Sequence, residues 1–290
     1  RLMNGNIYLI HPKRYEFFGL VHQIIPLASG QIRGADNVAI DGQADLLIYK
    51  QSAIYGDGQI KVDFQLSQGT KLTELPMFIS ALGGQGGPAR ILASPFLVPR
   101  GSTFTMFADD RQTVAAAQNI RVLHAGVKVF DSPFEPARVY HTVEVFDYVA
   151  NFTANDSGIG ALAANGTLAY PVEIASDHDF EIVKMAILAD GDATVQIATT
   201  GKALEWFNRA CHVSLLGGTG FNASPPSGAW PFILPSPVFV PKAGSIQVTA
   251  VDLSGAANRL QVIFHGRRLK PSGGVPVSGW PSSVRRRFAA

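Results

Sequence analysis

The chain has 290 residues, of which 47% are apolar and 16% are charged, with 24 basic and 22 acidic side chains. This much apolar material with so small a net charge excludes a disordered chain and is enough for two domains of ordinary size. The sequence contains no run of about 20 apolar residues, so it predicts no transmembrane helix. Its single cysteine, Cys211, excludes an intrachain disulfide framework and a zinc site built on several cysteines.

An internal repeat organises the chain. The offset between matching blocks is first 134 (172 − 38) and then 142 (236 − 94), so the second copy carries eight extra residues (142 − 134). Ordered agreement of this kind predicts a tandem duplication. Four blocks recur in the same order: 38–50 with 172–184, 80–84 with 214–218, 94–100 with 236–242, and 120–126 with 260–266.

Each copy has the pattern of short β-strands separated by frequent turns. Residues 60–64 alternate with period two, as do residues 260–264, which is typical of a strand with one wet face. Asp57-Gly58 and Asp190-Gly191 lie between β-branched runs and predict type I′ hairpins. The best single helix candidate is the segment 202–210. The sequence therefore predicts an all-β fold of two tandem, related β-sandwich (jelly-roll-like) domains with extended N- and C-terminal arms.

The predicted domain boundaries follow the repeat. Residues 139–146 can add a strand to either copy, and they fall within the predicted linker. The predicted units are an N-terminal arm over 1–14, a first β-sandwich over 15–130, a linker over 131–147, a second β-sandwich over 148–268 and a basic C-terminal arm over 269–290.

The C-terminal end differs in charge from the rest of the chain. From Arg267 onward the sequence holds six basic residues and no acidic one, so the preceding 266 residues carry a net charge of 18 − 22 = −4. One interpretation is a solvated tail. The other is an arm that contacts an acidic neighbour, and the residues predicted to make that contact are Lys270, Arg285, Arg286 and Arg287.

A loop in the second copy is the other candidate contact site. The eight extra residues fall within the segment 219–231, which combines two aromatic residues with three prolines. Such a loop is suited to docking a partner or stacking on a sugar ring. Alternatively, its aromatic residues close the open end of the sandwich. The candidate residues are Phe221, Pro225, Pro226 and Trp230.

The sequence predicts no catalytic residue, metal site or cofactor. The glycine clusters at 83–87 and 217–220 lack the Lys-Ser/Thr and the following helix of a phosphate-binding loop. Cys211 and His212 are neighbours on a predicted strand, so their side chains point to opposite faces and cannot act as a nucleophile and its base. We therefore expect a protein that is not an enzyme.

The run Asp177-His178-Asp179 has the side-chain types of a metal site, but only its last residue recurs in the first copy, as Asp45. One recurring aspartate is weak evidence for a metal site, because a metal needs three or four converging ligands. An Asp before a strand more often accepts hydrogen bonds from backbone N–H groups of a turn. We therefore predict that Asp45 and Asp179 cap turns.

Four motifs stand out in the second copy, at 176–182, 216–220, 234–242 and 264–268. In these motifs the two copies resemble the β-rich structural proteins of tailed-bacteriophage virions. The resemblance implies a virion component, assembled in the host cytoplasm at the head–tail connector, collar, tail or capsid surface, whose partners are copies of itself and other virion proteins. Membrane and nucleic acid are not expected partners, although Arg285–Arg287 contacting packaged DNA is a third possibility. The alternative is a carbohydrate- or receptor-binding β-sandwich module of a tail fibre.

Overall fold

Two antiparallel sheets form the first repeat of the computed structural model. One sheet has the strand order β1-β8-β3-β6 and the other β2-β7-β4-β5. The strands are β1 Arg14–Leu27, β2 Gly34–Ala39, β3 Ala44–Ile54, β4 Lys61–Leu66, β5 Met77–Phe78, β6 Arg90–Val98, β7 Thr103–Asp109 and β8 Gln118–Phe130. The structure describes residues 14–56, 59–85, 87–110, 117–131, 140–153, 159–199, 204–218 and 231–271.

The second repeat repeats this topology. Its first sheet has the order β15-β11-β17-β9, and its second has the order β10-β16-β12-β13, with β14 also paired to β12. The strands are β9 Tyr140–Phe152, β10 Thr167–Glu173, β11 Asp179–Ala189, β12 Ala193–Thr199, β13 Leu204–Glu205, β14 Cys211–His212, β15 Phe232–Val240, β16 Ser245–Asp252 and β17 Leu260–Pro271. The predicted all-β fold of two related sandwiches is confirmed.

One recurring glycine explains part of the sequence repeat. Gly126 on β8 lies opposite Ile48, and Gly266 on β17 lies opposite Ile182. Directly after Ile48 and Ile182 the pairing slips by one residue, which marks a β-bulge at the same place in both repeats. A Cβ at either glycine would collide with backbone atoms of the bulged strand, so only glycine permits this close approach.

The Asp-Gly turn at 190–191 does not form the predicted hairpin. Strand β11 before it pairs with β15 and β17, whereas β12 after it pairs with β13, β14 and β16. The turn therefore crosses from one sheet of the sandwich to the other. Both strands have the apolar content of sandwich strands, and sequence period alone does not show which sheet a strand joins. Asp57-Gly58 lies outside the described residues.

Two other boundaries differ from the predictions. Strand β9 begins at Tyr140 inside the predicted linker 131–147, and β17 continues to Pro271 inside the predicted arm 269–290. The reason is that these two strands pair with each other along their whole length, from Leu260 opposite Phe152 to Pro271 opposite Tyr140.

The predicted helix over 202–210 is wrong in its described part. Residues Leu204–Glu205 form the short strand β13 on the edge of β12, and Trp206 and Phe207 follow it as fully buried side chains. Tertiary packing of these two aromatic residues overrides the local helical period.

Candidate interaction surface between the repeats

The two repeats are joined by backbone pairing at a sheet edge. Strand β1 lies at the edge of its sheet, and the segment 206–208 of the second repeat pairs with it in parallel at Gly19. The Gly19 N–H donates to the Trp206 carbonyl at 2.7 Å, and the Asn208 N–H donates to the Gly19 carbonyl at 3.3 Å. The exposed edge of the first repeat is thus extended by a piece of the second.

The Asn208 side chain continues this pairing. Its Oδ1 accepts a hydrogen bond from the Val21 N–H at 2.6 Å, and its Nδ2 donates to the Val21 carbonyl at 3.1 Å. An amide side chain carries one acceptor and two donors, so it can satisfy both edge groups of one residue as a strand would. This contact fixes the register between the repeats.

An aromatic cluster fills the space beside that edge. The Phe17 ring meets the rings of Trp206, Phe207 and Phe232 edge to face, with centroids 5.8, 5.9 and 6.4 Å apart. Phe207 lies over Gly19, where a Cβ would collide with its ring. Buried aromatic pairs of this geometry add about 0.5–1.5 kcal/mol each beyond the area they bury.

The outer face of the first repeat's sheet belongs to the second repeat's core. The second core takes in four buried residues of strands β1 and β8, which are thereby withdrawn from solvent. The interface is therefore part of a hydrophobic core, unlike a contact between the surfaces of two separately folded domains. The four residues are Phe17, Val21, Leu123 and Ala125.

Three polar contacts surround this apolar centre. Lys50 donates from Nζ to the Ile233 carbonyl at 2.7 Å, and burial lowers the pKa of Lys50. Ser52 donates from Oγ to the Leu215 carbonyl, also at 2.7 Å. A third contact pairs the guanidinium of Arg209 with the carboxylate of Asp36, with Nη1 and Oδ2 separated by 3.2 Å. These contacts give the interface its orientation.

A cleft of about 450 Å³ opens beside the interface, between β1 and the β2–β3 connection. Glu16, Asp41, Glu205 and Lys128 contribute charged side chains to its lining. The Lys128 ammonium is held 3.1 Å from the Asp41 carboxylate and lies 4.2 Å from the centre of the Phe18 ring. The ammonium charge of Lys128 is thus paired with groups of the first repeat.

The structure places only one of the predicted contact residues. Lys270 lies near the end of β17, and its Nζ is 3.4 Å from Oε1 of Glu144 on the paired strand β9. It therefore takes part in a surface ion pair within the second repeat. The other arm residues, Arg285, Arg286 and Arg287, lie outside the described residues.

The predicted contact loop also lies outside the described residues for Phe221, Pro225, Pro226 and Trp230. Two described residues near it in sequence touch the first repeat. Leu215 accepts the hydrogen bond from Ser52, and Phe232 packs on Phe17.

Cys211 and His212 act as core residues. Both side chains are buried, and burial raises the pKa of the Cys211 thiol well above its usual range. Nδ1 of His212 accepts a hydrogen bond from the Ser214 N–H at 3.2 Å and so caps the short 3-10 helix Val213–Leu216. Burial lowers the pKa of His212 to about 4. A neutral imidazole and a protonated thiol are the forms this environment favours.

The recurring aspartates cap turns, as predicted. The Asp45 carboxylate accepts a hydrogen bond from the Arg100 N–H at 2.9 Å, and the Asp179 carboxylate accepts one from the Lys242 N–H at 2.8 Å. Each thus joins the start of one strand to the turn after its neighbour. No group of three or more His, Cys, Asp or Glu side chains in the described part of the chain is arranged to hold a metal ion.

His178 sits between two partners in the same region. Its Nδ1 is 2.6 Å from the Asp177 carboxylate, and its Nε2 is 2.9 Å from the Tyr148 hydroxyl. The Tyr148 oxygen also accepts a hydrogen bond from the Ala175 N–H at 3.3 Å. The hydrogen bond to His178 lowers the pKa of Asp177, so this carboxylate stays ionised. The chain of bonds ties the turn before β11 to the edge strand β9.

The residues that form the interface were not predicted from the sequence. The adjacent Phe17 and Phe18 were the available signal, because a strand with large apolar side chains on both faces is covered on both sides. Trp206-Phe207 offered a second signal, because the first copy has no aromatic pair at that place. In the part of the chain that the structure describes, no helix is long and apolar enough to span a membrane.

Comparisons with known proteins add little to this description. No family model and no curated protein matches the chain. Among solved structures, it is similar to one of infectious bursal disease virus, Gx strain, at 12% identity over 92% of this chain and 72% of that one, with a TM-score of 0.23. It is also similar to the tandem CBM22 domains of Paenibacillus barcinonensis Xyn10C, at 7% identity over 89% and 94% of the chains, with a TM-score of 0.18. TM-scores this low carry no argument about function.

Proposed function

We propose that the chain is a non-enzymatic structural component of a virus particle, of the tailed-bacteriophage kind that its repeat motifs resemble. The observation that supports this most is the interface between the repeats. Edge pairing at Gly19 and a shared apolar core make the two sandwiches into one unit with a fixed geometry. Sandwich units of this kind are widely used to build shells, since a fixed geometry lets identical copies repeat the same contacts.

The use of the chemically active residue types also supports a non-enzymatic role. The thiol of Cys211 is buried in the second core, and His212 caps a 3-10 helix. Asp45 and Asp179 hold turns through backbone hydrogen bonds. Each of these side chains has a role in stabilising the fold.

The position that we propose for the chain in the particle is the connector, collar, tail or capsid surface.

Fractionation of particles tests the proposal directly. Particles from the culture that produces this protein are banded on a density gradient, and antibodies against the purified chain are used to probe every fraction. We expect the chain to band with the particles and to stay with them after a wash in high salt. Recovery of the chain only in the soluble fractions, with none in the particle band, would contradict a structural role.

The carbohydrate-binding alternative depends on the loop 219–231 and is tested separately. The purified chain and its Trp230→Ala variant are compared on an array of bacterial envelope glycans, with Trp206→Phe as a control for general loss of aromatic packing. Binding that is lost only in Trp230→Ala would favour the alternative, since exposed aromatic rings commonly stack on sugars. Equal binding by all three proteins would remove it.

A further inference from the structure

The interface between the repeats has two sides, and each repeat carries a version of both. The inserting side is the segment 206–209 of the second repeat, and the receiving side is the outer edge of β1 in the first. A chain with two such repeats uses one inserting side and one receiving side internally. The equivalents left unused are the first repeat's segment 72–75, in which Glu74 takes the place of Asn208, and the outer edge of β9.

The equivalent of the inserting segment is residues 72–75. The Trp206 N–H donates to the Ile197 carbonyl at 3.0 Å, and the Leu72 N–H donates to the Phe64 carbonyl at the same distance. The following strands also match, because β14 pairs with β12 in the way that β5 pairs with β4. Leu75, which takes the place of Arg209, is 73% exposed.

The equivalent of the receiving edge is the outer side of β9. Phe18 lies opposite Gly126 and Phe146 lies opposite Gly266, so residues of β1 and β9 correspond at an offset of 128 (146 − 18). Asp147 and Val149 therefore take the places of Gly19 and Val21. Val145, in the place of Phe17, is 91% exposed.

Two residues of this edge, Asp147 and Val149, have outward backbone groups that no described backbone group pairs with. The Asn151 carbonyl accepts a hydrogen bond from the Ile159 N–H at 3.3 Å, so the odd-numbered residues of β9 direct their backbone groups away from β17. Within the ranges that the structure describes, no backbone hydrogen bond reaches the outward groups of Asp147 and Val149. An exposed apolar edge strand without such cover is a site for the addition of another strand.

One contact pair is identical in the two unused sides. Lys50 donates to the Ile233 carbonyl across the internal interface at 2.7 Å. The residue in the place of Lys50 is Lys184, and the residue in the place of Ile233 is Ile91. Ile91 is 73% exposed. The same lysine-to-carbonyl bond can therefore form between the second repeat of one copy and the first repeat of another.

A second pair changes on both sides in a matched way. Asp36 and Arg209 form an ion pair across the internal interface. Their equivalents are Tyr170, which lies half-buried on β10, and the exposed Leu75. An ion pair is thus replaced by an aromatic residue and an aliphatic one, which remain complementary because both are apolar.

The third pair changes from an aromatic contact to two polar residues. Phe207 lies over Gly19 in the internal interface, and the equivalents are Thr73 and Asp147. The Thr73 hydroxyl oxygen is buried and has no hydrogen-bond partner among the described residues. The Asp147 carboxylate is paired with His265, whose Nδ1 lies 2.9 Å from Oδ2. The glycine–aromatic contact of the internal interface is thus replaced by two polar side chains.

We propose that copies of this chain join head to tail, with residues 72–75 of one copy added to the outer edge of β9, at residues 145–149, of the next. This interface rests on the proposed structural function and deepens it by naming the self-assembly contact. A head-to-tail contact gives a closed ring when its rotation closes and an open filament when it does not.

Two exposed substitutions of the same charge test this arrangement on the full-length chain. Val145→Lys alters the receiving side and Leu75→Lys alters the inserting side, while Leu97→Lys changes a residue on β6 that is 50% exposed and lies on neither. Self-association is measured by analytical ultracentrifugation over a range of concentrations. We expect wild type and Leu97→Lys to associate, and each of the other two variants to associate at least about tenfold more weakly.

A mixture of the two variants gives the sharpest result. The inserting side of Val145→Lys and the receiving side of Leu75→Lys are both unaltered, so one intact junction forms while the other junction brings two lysines together. We expect a 1:1 heterodimer that grows no further. A wild-type chain that stays monomeric, or association that both variants leave unchanged, would overturn the head-to-tail contact. Particle fractionation judges the structural role independently of either outcome.

Discussion

At three equivalent places the core of the first repeat has polar side chains, whereas the core of the second repeat has apolar ones. The first core contains His22, Gln51 and His124, all fully buried. Their equivalents in the second core are the equally buried Ala150, Met185 and Phe264. Two sandwiches with the same strand order and the same β-bulge therefore tolerate either set, because the backbone hydrogen bonds are the same in both.

The polar set is held together within the first core. His22 is 3.0 Å from the Phe104 carbonyl through Nε2, and the Gln51 amide is 3.2 Å from Nδ1 of His124. The two imidazole rings meet edge to face at 5.2 Å. Burial lowers the pKa of His22 to about 4 and that of His124 well below its usual range, so both rings are neutral. The second repeat has no such constraint at these three places.

The largest expected effect comes from replacing Phe207 with the first repeat's residue at that place. Phe207→Thr removes a buried ring from the interface and leaves a cavity over Gly19, so we expect the free energy of unfolding to fall by about 3–5 kcal/mol. Urea denaturation measures the change. The control is Phe78→Thr on a half-exposed side chain, for which we expect a much smaller loss. Equal losses in the two variants would show that the interface contributes little to stability.

The second prediction concerns pH and uses the polar set. Between pH 6.5 and about 4 the unfolded state binds protons that the folded state excludes from His22, so stability falls as the pH falls through this window. The slope is at most about 1.4 kcal/mol per pH unit for each such histidine. Giving the first core the second repeat's residues, by His22→Ala, Gln51→Met and His124→Phe, is expected to reduce this slope.

Thermal unfolding followed by circular dichroism at several pH values checks that expectation. Gln51→Met alone is the control, because it removes no ionisable group and should keep the wild-type slope. If the triple variant does not fold, the same window is examined by NMR titration of the histidine ring protons in the wild type. A chain whose stability is the same at pH 4.5 and pH 7 would contradict the role given to the buried imidazoles.

The third prediction concerns the turn-capping aspartates that the two repeats share. Asp45→Ala and Asp179→Ala each remove a carboxylate that accepts a backbone N–H, so we expect each to lower the free energy of unfolding by about 1–3 kcal/mol. The loss should be larger for Asp179, whose side chain is fully buried, than for the partly exposed Asp45. The corresponding Asn variants keep an acceptor and should lose less. If Asn and Ala variants were equally unstable, the turn cap would not be the reason that these aspartates recur.

The smallest expected effect is at the surface of the second repeat. Lys270→Gln breaks the pair with Glu144, in which both side chains are more than 40% exposed, and solvent screens such pairs strongly. We expect a change of less than about 1 kcal/mol in urea denaturation, and none in high salt. A larger loss that salt does not reduce would mean that Lys270 contributes through packing.

Much of the fold could be predicted because the residues that recur in both copies are those that the backbone geometry requires. Asp45 and Asp179 recur because the same turn needs an acceptor, and Gly126 and Gly266 recur because the same bulge leaves no room for a Cβ. The interface could not be predicted in this way. Trp206 and Phe207 differ from their counterparts Leu72 and Thr73, so they lie outside the recurring blocks and those blocks do not show what the two residues contact.

The sequence by itself determined that the chain is all-β, that it is duplicated, and that Cys211 and the recurring aspartates stabilise the fold. These features are local, since strand period and turn chemistry depend on neighbouring residues. Only the tertiary structure decided which strands share a sheet and which edge receives the segment 206–208. The second of these depends on contacts between residues more than 180 positions apart, such as Gly19 and Phe207, which no local pattern records.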